Sequence, residues 1–192
     1  GNYYGIEPQQ WLIDEGVKKE LGREILHIKS PHFSNDDDFN LSVFNRQFDF
    51  LLAQSIFSHT SIKQLRKCMT EARRVMHSRS IFLATYLPGE ENYQGNTWAY
   101  PECITFTPEF MEGVIHDVGL AVLPLDWPHP GDQKWMVITE EQNIENIQKM
   151  MSFPGMHILE DKIRQQQERL KKFESNPLIK FGLRIYRFIR RG

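Results

Sequence analysis

An apolar run, a one-faced helical stripe and a second apolar run follow one another near the middle of the chain, and this order constrains the fold most strongly. Phe48 to Ala53 reads F-D-F-L-L-A, and Ser80 to Tyr86 reads S-I-F-L-A-T-Y. Nearly unbroken runs of this kind are typical of strands covered on both faces. Between them, after a capping Thr60 or Ser61, apolar residues recur at helical spacing: Ile62, Leu65, Cys68, Met69, Ala72, Val75 and Met76. The sequence therefore predicts two parallel strands joined by a helix.

The N-terminal part of the chain predicts two further strands. Tyr3 to Ile6 is a short apolar run that Glu7 and Pro8 end, and proline suits the first position of a helix. Apolar residues from Trp11 to Leu21 follow at roughly helical spacing. Glu24 to Ile28, with the sequence E-I-L-H-I, is then predicted as a second strand.

The C-terminal side of the pattern ends in a hairpin. Thr107-Pro108 is a typical cap and first helical position, and Gly119 is expected to end that helix. Leu120 to Trp127 and Lys134 to Ile138 are two strands close enough to pair antiparallel. The fold class predicted is therefore α/β: a doubly wound, mostly parallel sheet with helices on both faces and an antiparallel terminal β-hairpin.

Composition limits the partners and the compartment. The 192 residues favour one domain with an appendage, and the formal net charge of -2 offers no general field for nucleic acid. Two cysteines, Cys68 and Cys103, do not make a disulfide framework. No apolar run approaches the roughly 20 residues of a membrane span, and no signal peptide is visible. We therefore expect a cytoplasmic protein without nucleic acid as a partner.

The composition changes after Thr139, and we expect residues 140–192 to form a helical extension. Its last part, 177–191, places apolar residues at helical spacing among cations: Leu178, Phe181, Ile185, Phe188 and Ile189 with Lys180, Arg184, Arg187, Arg190 and Arg191. A basic amphipathic segment suits an anionic membrane surface, here the inner face of the membrane. The alternative is a terminal helix docked on the domain or on a sister chain.

Several segments together resemble the class I, Rossmann-like methyltransferases that use S-adenosylmethionine. Y-G-I-E-P at Tyr4–Pro8 resembles the second strand of that family, and Phe48–His59 is similar to the fourth strand and its following loop. Leu65–Thr85 resembles the next helix and strand, and Glu109–Ile138 the last helix and the terminal hairpin. The chain resembles uncharacterised bacterial methyltransferases in particular, some of them associated with polysaccharide biosynthesis. The resemblance implies S-adenosylmethionine as cofactor and O-methylation of a small-molecule or saccharide acceptor.

The chain departs from the family at its start. The family's first strand and its Gly-x-Gly-x-Gly turn should precede Tyr3, and nothing in the sequence matches them. We therefore expect residues 1–139 to be a methyltransferase-like domain that lacks its first strand, which in the family lies between the strands that begin here at Tyr3 and Phe48. Two alternatives remain: a non-catalytic, truncated domain acting as a binding or partner subunit, and a nicotinamide enzyme, against which the antiparallel hairpin argues.

The resemblance assigns five residues to the cofactor. Glu7 ends the second strand of the family, where a carboxylate accepts two hydrogen bonds from the ribose diol. Asp37 or Asp38 is expected to bond the adenine amino group, although an acidic loop is also a common solvated turn. Ala53 leaves room for the cofactor at a strand end, and Gln54 could bond it or cap the strand.

The acceptor side is predicted from aromatic residues and histidines. His59 follows the fourth strand of the family, and imidazole suits a general base at neutral pH; the alternative is a loop or capping histidine. Tyr93, Trp98 and Tyr100 occupy a long loop and could form a lid that stacks on a saccharide, or could pack locally. His129, in the terminal hairpin, is a further substrate-binding candidate. The remaining histidines and the cysteines lack ligand spacing, so no metal is expected.

Overall fold

The computed structural model describes residues 3–19, 21, 23–152, 161, 162, 164–166, 168 and 169, so the segment 177–191 lies outside the described residues. The strands are β1 Tyr4–Ile6, β2 His32–Ser34, β3 Phe48–Ala53, β4 Met76–Tyr86, β5 Ala121–Leu125 and β6 Lys134–Thr139. The helices are α1 Gln10–Lys19, α2 Arg23–Lys29, α3 Ile62–Val75, α4 Pro108–His116 and α5 Glu141–Met151. A 3-10 turn, Leu41–Phe44, lies between β2 and β3.

Four strands form a mixed sheet in the order β3-β4-β6-β5. β3 and β4 are parallel, with Leu51 opposite Phe82, while β6 is antiparallel to both β4 and β5. Helices α3 and α4 pack on one face of this sheet and α5 on the other. The structure confirms the α/β class and the antiparallel terminal hairpin.

The prediction of a strand over Glu24–Ile28 is wrong, because these residues lie in α2. Glutamate, leucine and lysine are good helix formers, and the apolar residues of so short a run do not distinguish a strand from a helix. The helix ends before Ser30, whose φ is +42°, and Pro31 disfavours helical backbone in the residue before it. The strand comes after this break, as β2, and pairs parallel with β1.

Helix α3 has the start and the buried stripe that its sequence predicts. Ser61 is the N-cap: its side chain accepts a hydrogen bond from the Gln64 backbone N–H, and the Gln64 side chain accepts one from the Ser61 N–H at 3.0 Å. This reciprocal capping box satisfies two donors that the first turn leaves free. The buried stripe consists of Leu65, Cys68, Met69, Ala72 and Val75. Four of its members, Leu65, Cys68, Met69 and Ala72, pack in the main core with Ala53, Phe57, Phe82, Phe106 and Ile115.

The opposite face of the sheet is covered only in part. Ile81 and Leu83 of β4 pack there in a cluster with Ile147 and Met151 of α5. Their β3 neighbours on the same face, Phe50 and Leu52, are 73% and 67% exposed. β3 therefore presents large apolar side chains to solvent on one face, although its sequence is that of a buried strand.

β1 and β2 form a second, two-stranded sheet. Tyr4, the first residue of β1, packs edge-on against Phe48, the first residue of β3, with 5.4 Å between ring centroids. Phe44 contacts the same tyrosine at 5.1 Å, and the Arg46 guanidinium lies 4.5 Å from its ring centre. The beginnings of β1 and β3 therefore lie side by side, but the two strands belong to separate sheets.

Contacts with α3 hold the segment 35–45, between β2 and β3, against the main core. Asp38 pairs with Lys67, and the Ser42 hydroxyl donates to Glu71 Oε2 at 2.8 Å. Glu71 is 5% exposed and also pairs with Arg74. Burial by itself would raise the pKa of Glu71, but the hydrogen bonds from Ser42 and the charge of Arg74 outweigh it and hold the pKa below its usual value.

We expect Ser42→Ala to lower the free energy of unfolding by about 1–3 kcal/mol at neutral pH, because a buried carboxylate loses a donor. Since the folded-state pKa of Glu71 is lowered, its stabilisation is present above the unfolded pKa and is lost as the pH falls through the folded one. The difference between variant and parent should therefore shrink at low pH. Urea unfolding at about pH 7 and about pH 3 measures it. Thr70→Ala, on the same helix but bonded to the Arg66 carbonyl, is the control. An equal loss at both pH values contradicts the assignment.

Candidate functional site

A chain of buried hydrogen bonds joins the ends of β3 and β4 to the loop between β5 and β6. The Ser55 N–H donates to Thr85 Oγ1 at 2.8 Å, and the Thr85 hydroxyl donates to Gln133 Oε1 at 2.7 Å. The Gln133 amide donates to Ser58 Oγ at 3.2 Å, and the Ser58 hydroxyl donates to the Ser55 carbonyl at 3.3 Å. Thr85 and Ser58 are fully buried. This ring fixes the loop 54–59 at the carboxyl end of the sheet, where ligands bind in open α/β folds.

His129 is held in this region by two hydrogen bonds. Its Nδ1 accepts from the Gly131 N–H at 3.1 Å, so in the neutral ring the proton is on Nε2, which lies 3.3 Å from Ser55 Oγ. Ser55 has a left-handed φ of +56°, which is uncommon for a residue other than glycine. Burial lowers the pKa of His129, and the charge of Asp132 opposes this only in part. The lowered pKa favours the neutral form of His129, in which both ring nitrogens are engaged.

His59 lies in the same loop with the opposite arrangement. Its Nδ1 is 2.7 Å from the Glu102 carbonyl oxygen, which can only accept, so Nδ1 carries the proton. Nε2 then has a free lone pair, with no hydrogen-bond partner among the residues that the structure describes. Trp98 and Tyr100 flank the ring, with centroids 5.6 and 5.4 Å away. We call His59, Trp98 and Tyr100 the aromatic cluster.

The aromatic cluster brings together three of the predicted acceptor-side residues. Trp98 and Tyr100 are 42% and 69% exposed, so both rings offer faces to a ligand. Tyr93 does not join them. It packs partly buried against the core, and a Cβ at Gly95 would overlap its hydroxyl, which shows that its ring lies on its own loop.

The two predicted acidic sites follow neighbouring parallel strands. Glu7 comes after β1, and its N–H donates to the carbonyl of Ser34, the last residue of β2, at 3.0 Å. One Glu7 carboxylate oxygen accepts from the Gln9 N–H at 2.9 Å, while the other accepts no hydrogen bond from the described residues. Glu7 is thus positioned by its own helix start and retains an oxygen for a ligand.

Of the three aspartates after β2, two are engaged. Asp36 Oδ1 accepts from the N–H groups of Asp38 and Asn40, at 3.0 and 2.8 Å, and so shapes the turn. Asp38 pairs with Lys67. Asp37 is exposed and its carboxylate has no partner within the described part of the chain. The structure therefore leaves Asp37, rather than Asp38, as the free carboxylate of this loop.

The carboxyl end of β3 carries a buried alanine and an exposed glutamine. Ala53 is 8% exposed and packs in the main core, and Gln54 is exposed, without a side-chain hydrogen bond to another described residue. A cavity of about 580 Å³ lies beside α1 and α2, and Glu7 is among its lining residues, whereas Ala53 and Gln54 are not. Among its described lining residues, Tyr3, Glu7 and Lys29 alone have polar side-chain groups. The cavity is therefore mostly apolar and brings no second acid to Glu7.

Sequence reasoning missed the buried ring of hydrogen bonds. Thr85 is one residue before the end of an apolar run, and Gln133 is just before the last strand. A polar residue at a strand end was the sequence signal that could have indicated these hydrogen bonds. Their pairing joins residues 48 positions apart along the chain, which no local pattern shows.

Other reactive chemistry finds no support in the described part of the chain. Burial, with the charge of Glu71, raises the pKa of Cys68 to about 12, so this thiol stays protonated at neutral pH. No group of three or more histidine, cysteine, aspartate or glutamate side chains could hold a metal ion there. No helix among these residues has the length and apolar character needed to cross a membrane.

The sequence matches no protein-family model and no curated protein sequence. Solved structures are similar to it. An S-adenosylmethionine-dependent methyltransferase from Clostridium acetobutylicum superimposes on this chain with a TM-score of 0.53 at 13% identity, over 73% of this chain and 75% of that one. A glycopeptide N-methyltransferase in complex with S-adenosylmethionine gives a TM-score of 0.55 at 10% identity, over 71% and 76%.

A third structure is the magnesium protoporphyrin IX methyltransferase of Synechocystis with bound S-adenosylmethionine. Its TM-score is 0.53 at 11% identity, over 72% of this chain and 59% of that one, so this chain spans less than two thirds of it. Identities this low establish fold alone. They agree with the resemblance found in the sequence: this chain has the Rossmann-like fold of the S-adenosylmethionine-dependent methyltransferases.

Proposed function

We propose that this chain is the greater part of an S-adenosylmethionine-dependent methyltransferase that O-methylates a small molecule or a saccharide. One observation carries the proposal. His59, whose Nε2 has no partner among the described residues, follows β3 and lies between two exposed aromatic rings. Glu7 follows β1 of the neighbouring sheet with one carboxylate oxygen unbonded by the described residues, and the exposed Asp37 follows β2. An acceptor site and a diol-binding site therefore follow the carboxyl ends of strands whose beginnings lie side by side.

The residues present fit the adenosine part of the cofactor. The unpaired oxygen of Glu7 suits a ribose hydroxyl, and Asp37 suits an amino group. When bound, the cofactor supplies a methyl group on a positively charged sulfur. The task of this chain is to orient the cofactor and the acceptor and to take up the acceptor's proton.

The cofactor site is completed, in this proposal, by a strand between β1 and β3. The beginnings of these strands lie side by side, yet the strands belong to separate sheets. Each therefore has an edge whose backbone groups no other described residue pairs. A parallel strand between them would join the two sheets into one. Its carboxyl end would lie beside Glu7 and Ala53, where the rest of the cofactor must be held.

The exposed apolar face of β3 supports the same completion. Helix α3, which follows β3, packs on the Leu51 and Ala53 face. Connections between parallel strands are right-handed. The chain moves from β3 to β4 in one direction across the sheet, and from the inserted strand to β1 in the opposite direction. The second connection must therefore cross the face of the sheet that α3 does not cover. That is the face on which Phe50 and Leu52 are exposed. A helix there would bury both side chains.

His59 is the general base in this proposal. An acceptor ring lies against Trp98 and Tyr100, and its hydroxyl donates to the free Nε2. The proton passes to the imidazole, which later releases it to solvent. Saccharides and other flat-faced acceptors suit exposed aromatic rings, whose faces are apolar and whose conformational entropy is low.

Glu7→Gln should weaken binding of S-adenosylhomocysteine by about 1–3 kcal/mol, because a carboxylate is a stronger acceptor than an amide. Calorimetry on the protein extended by its own upstream coding sequence measures this. Glu24→Gln, an exposed carboxylate on α2, is the matched control and should bind normally. Equal affinities for the Glu7 variant and its parent reject the ribose role.

His59→Ala should lower turnover roughly 100-fold or more, while the affinity for S-adenosylhomocysteine stays near normal. The assay is methyl transfer to candidate saccharide and small hydroxylated acceptors. His116→Ala, in the last turn of α4 and exposed, is the control and should keep full turnover. A His59→Ala protein with parental turnover removes this residue from the mechanism.

A second function, that of a non-catalytic partner subunit, is favoured by the same exposed face. Phe50 and Leu52, beside an unpaired edge, would equally accept a strand and a helix from another protein. The two functions separate on one measurement, methyl transfer, because a non-catalytic subunit transfers no methyl group to any acceptor, whichever polypeptide fills the gap.

We also propose that the segment 177–191 binds an anionic membrane surface, which would hold a cytoplasmic enzyme at the inner face of the membrane. Five cations around an apolar stripe support this. Each basic residue near such a surface contributes about 1 kcal/mol. A saccharide acceptor linked to a lipid would then be within reach of the site.

A peptide of residues 177–191 should gain helix with vesicles of anionic lipid and much less with neutral ones. A segment this short is poorly helical in water, and the bilayer supplies an apolar boundary and counter-charge. Circular dichroism measures the gain, and high salt should weaken it. Replacing the four arginines by glutamine is the matched control. Equal helix with neutral vesicles favours the docked-helix alternative.

A further inference from the structure

The position of His59 is fixed by main-chain hydrogen bonds from the segment 98–104. The Ala99 N–H donates to the His59 carbonyl and the Ile104 N–H to the Ser58 carbonyl, both at 2.8 Å. Within the segment, the Glu102 N–H donates to the Ala99 carbonyl at 2.9 Å, and the Glu102 carbonyl accepts from His59 Nδ1 at 2.7 Å. The backbone of His59 and its ring are therefore held by the same turn.

A carbonyl oxygen and an N–H group fix opposite tautomers of histidine. The carbonyl of Glu102 requires a proton on Nδ1 of His59 and leaves Nε2 as the acceptor. The N–H of Gly131 requires a lone pair on Nδ1 of His129 and places the proton on Nε2. Of these two histidines, only His59 presents a free lone pair to a ligand, because the Nε2 of His129 lies against Ser55.

We infer that the Glu102 carbonyl is the positioning group that makes His59, and not His129, the proton acceptor of this site. The inference rests on the proposed methyl transfer for its role in the reaction. The acceptor O–H bond breaks, its proton moves to Nε2, and the oxygen keeps the electron pair. Nδ1 keeps its own proton throughout. Its bond to Glu102 then becomes charge-assisted, and such bonds are roughly twice as strong as neutral ones.

The tautomer can be observed directly in the 192-residue protein by long-range ¹⁵N–¹H correlation NMR of its histidine rings. We expect an unprotonated Nε2 and a protonated Nδ1 for His59 at alkaline pH, and the reverse for His129. Glu102→Ala is the matched control, because the bond uses the backbone carbonyl and the pattern should not change. A protonated Nε2 on His59, or a mixture of tautomers, overturns the inference.

Two substitutions at His59 distinguish its structural role, the hydrogen bond to Glu102, from its proposed role as proton acceptor. The amide nitrogen of Asn occupies the place of Nδ1 and can still donate to Glu102, whereas that of Gln corresponds to Nε2 and cannot. His59→Asn should therefore keep the parental Tm, and His59→Gln should lose about 2–4 °C. Both should lose about 100-fold or more in turnover in the extended protein. Equal Tm losses overturn the positioning bond.

The outcomes distinguish this inference from the proposed function. If NMR shows the expected tautomers but His59→Asn retains turnover, the proton-accepting role is rejected while the tautomer assignment stands. If the extended protein binds no S-adenosylhomocysteine, the methyltransferase proposal fails. The NMR and Tm results still test the bond between Glu102 and His59, because neither depends on a bound cofactor.

Discussion

The carboxyl end of the sheet depends on the two hydrogen bonds of the Thr85 hydroxyl. This hydroxyl is buried, so its donor and its acceptor must both be paired inside the protein. It accepts from the Ser55 N–H and donates to Gln133, and these two bonds join the loop after β3 to the last hairpin. The backbone of Ser55 adopts a left-handed conformation within this network. His59 lies in the loop that Thr85 holds, and Ser55 of the same loop contacts Nε2 of His129.

A second constraint, the burial of the apolar side chains of β3, is not met on one face of the sheet. A strand with apolar side chains on both faces needs cover on both. Among the described residues, Ala53 is buried and Leu51 partly buried on one face of β3, while the other face is left largely exposed. Phe50 and Leu52 each have about two thirds of their surface or more in solvent. Burial of such side chains contributes about 1.5–3 kcal/mol each, so a segment that covers this face would be bound strongly.

The sequence predicted the fold where local patterns were long. β3 has the bounds expected for it, and α3 and α4 begin at the expected caps, because capping residues and a periodic stripe agree there. The prediction failed at Glu24–Ile28, where five residues suit a strand or a helix. At the site, the sequence predicted His59 as a base and, independently, Trp98 and Tyr100 with Tyr93 as a lid; the structure brings His59 into contact with Trp98 and Tyr100. The sequence could not give the pairing of Thr85 with Gln133, because partners distant along the chain meet only after the sheet has formed.

Two histidines at the same end of one sheet show how main-chain groups assign chemical roles. Their side chains are identical, and both rings contact aromatic residues. They differ in what faces Nδ1: a carbonyl for His59 and an N–H for His129. Burial also lowers the pKa of His129, which favours the neutral ring and its bond to Gly131. One histidine therefore holds the hairpin to the loop after β3, and the other keeps a lone pair for an acceptor.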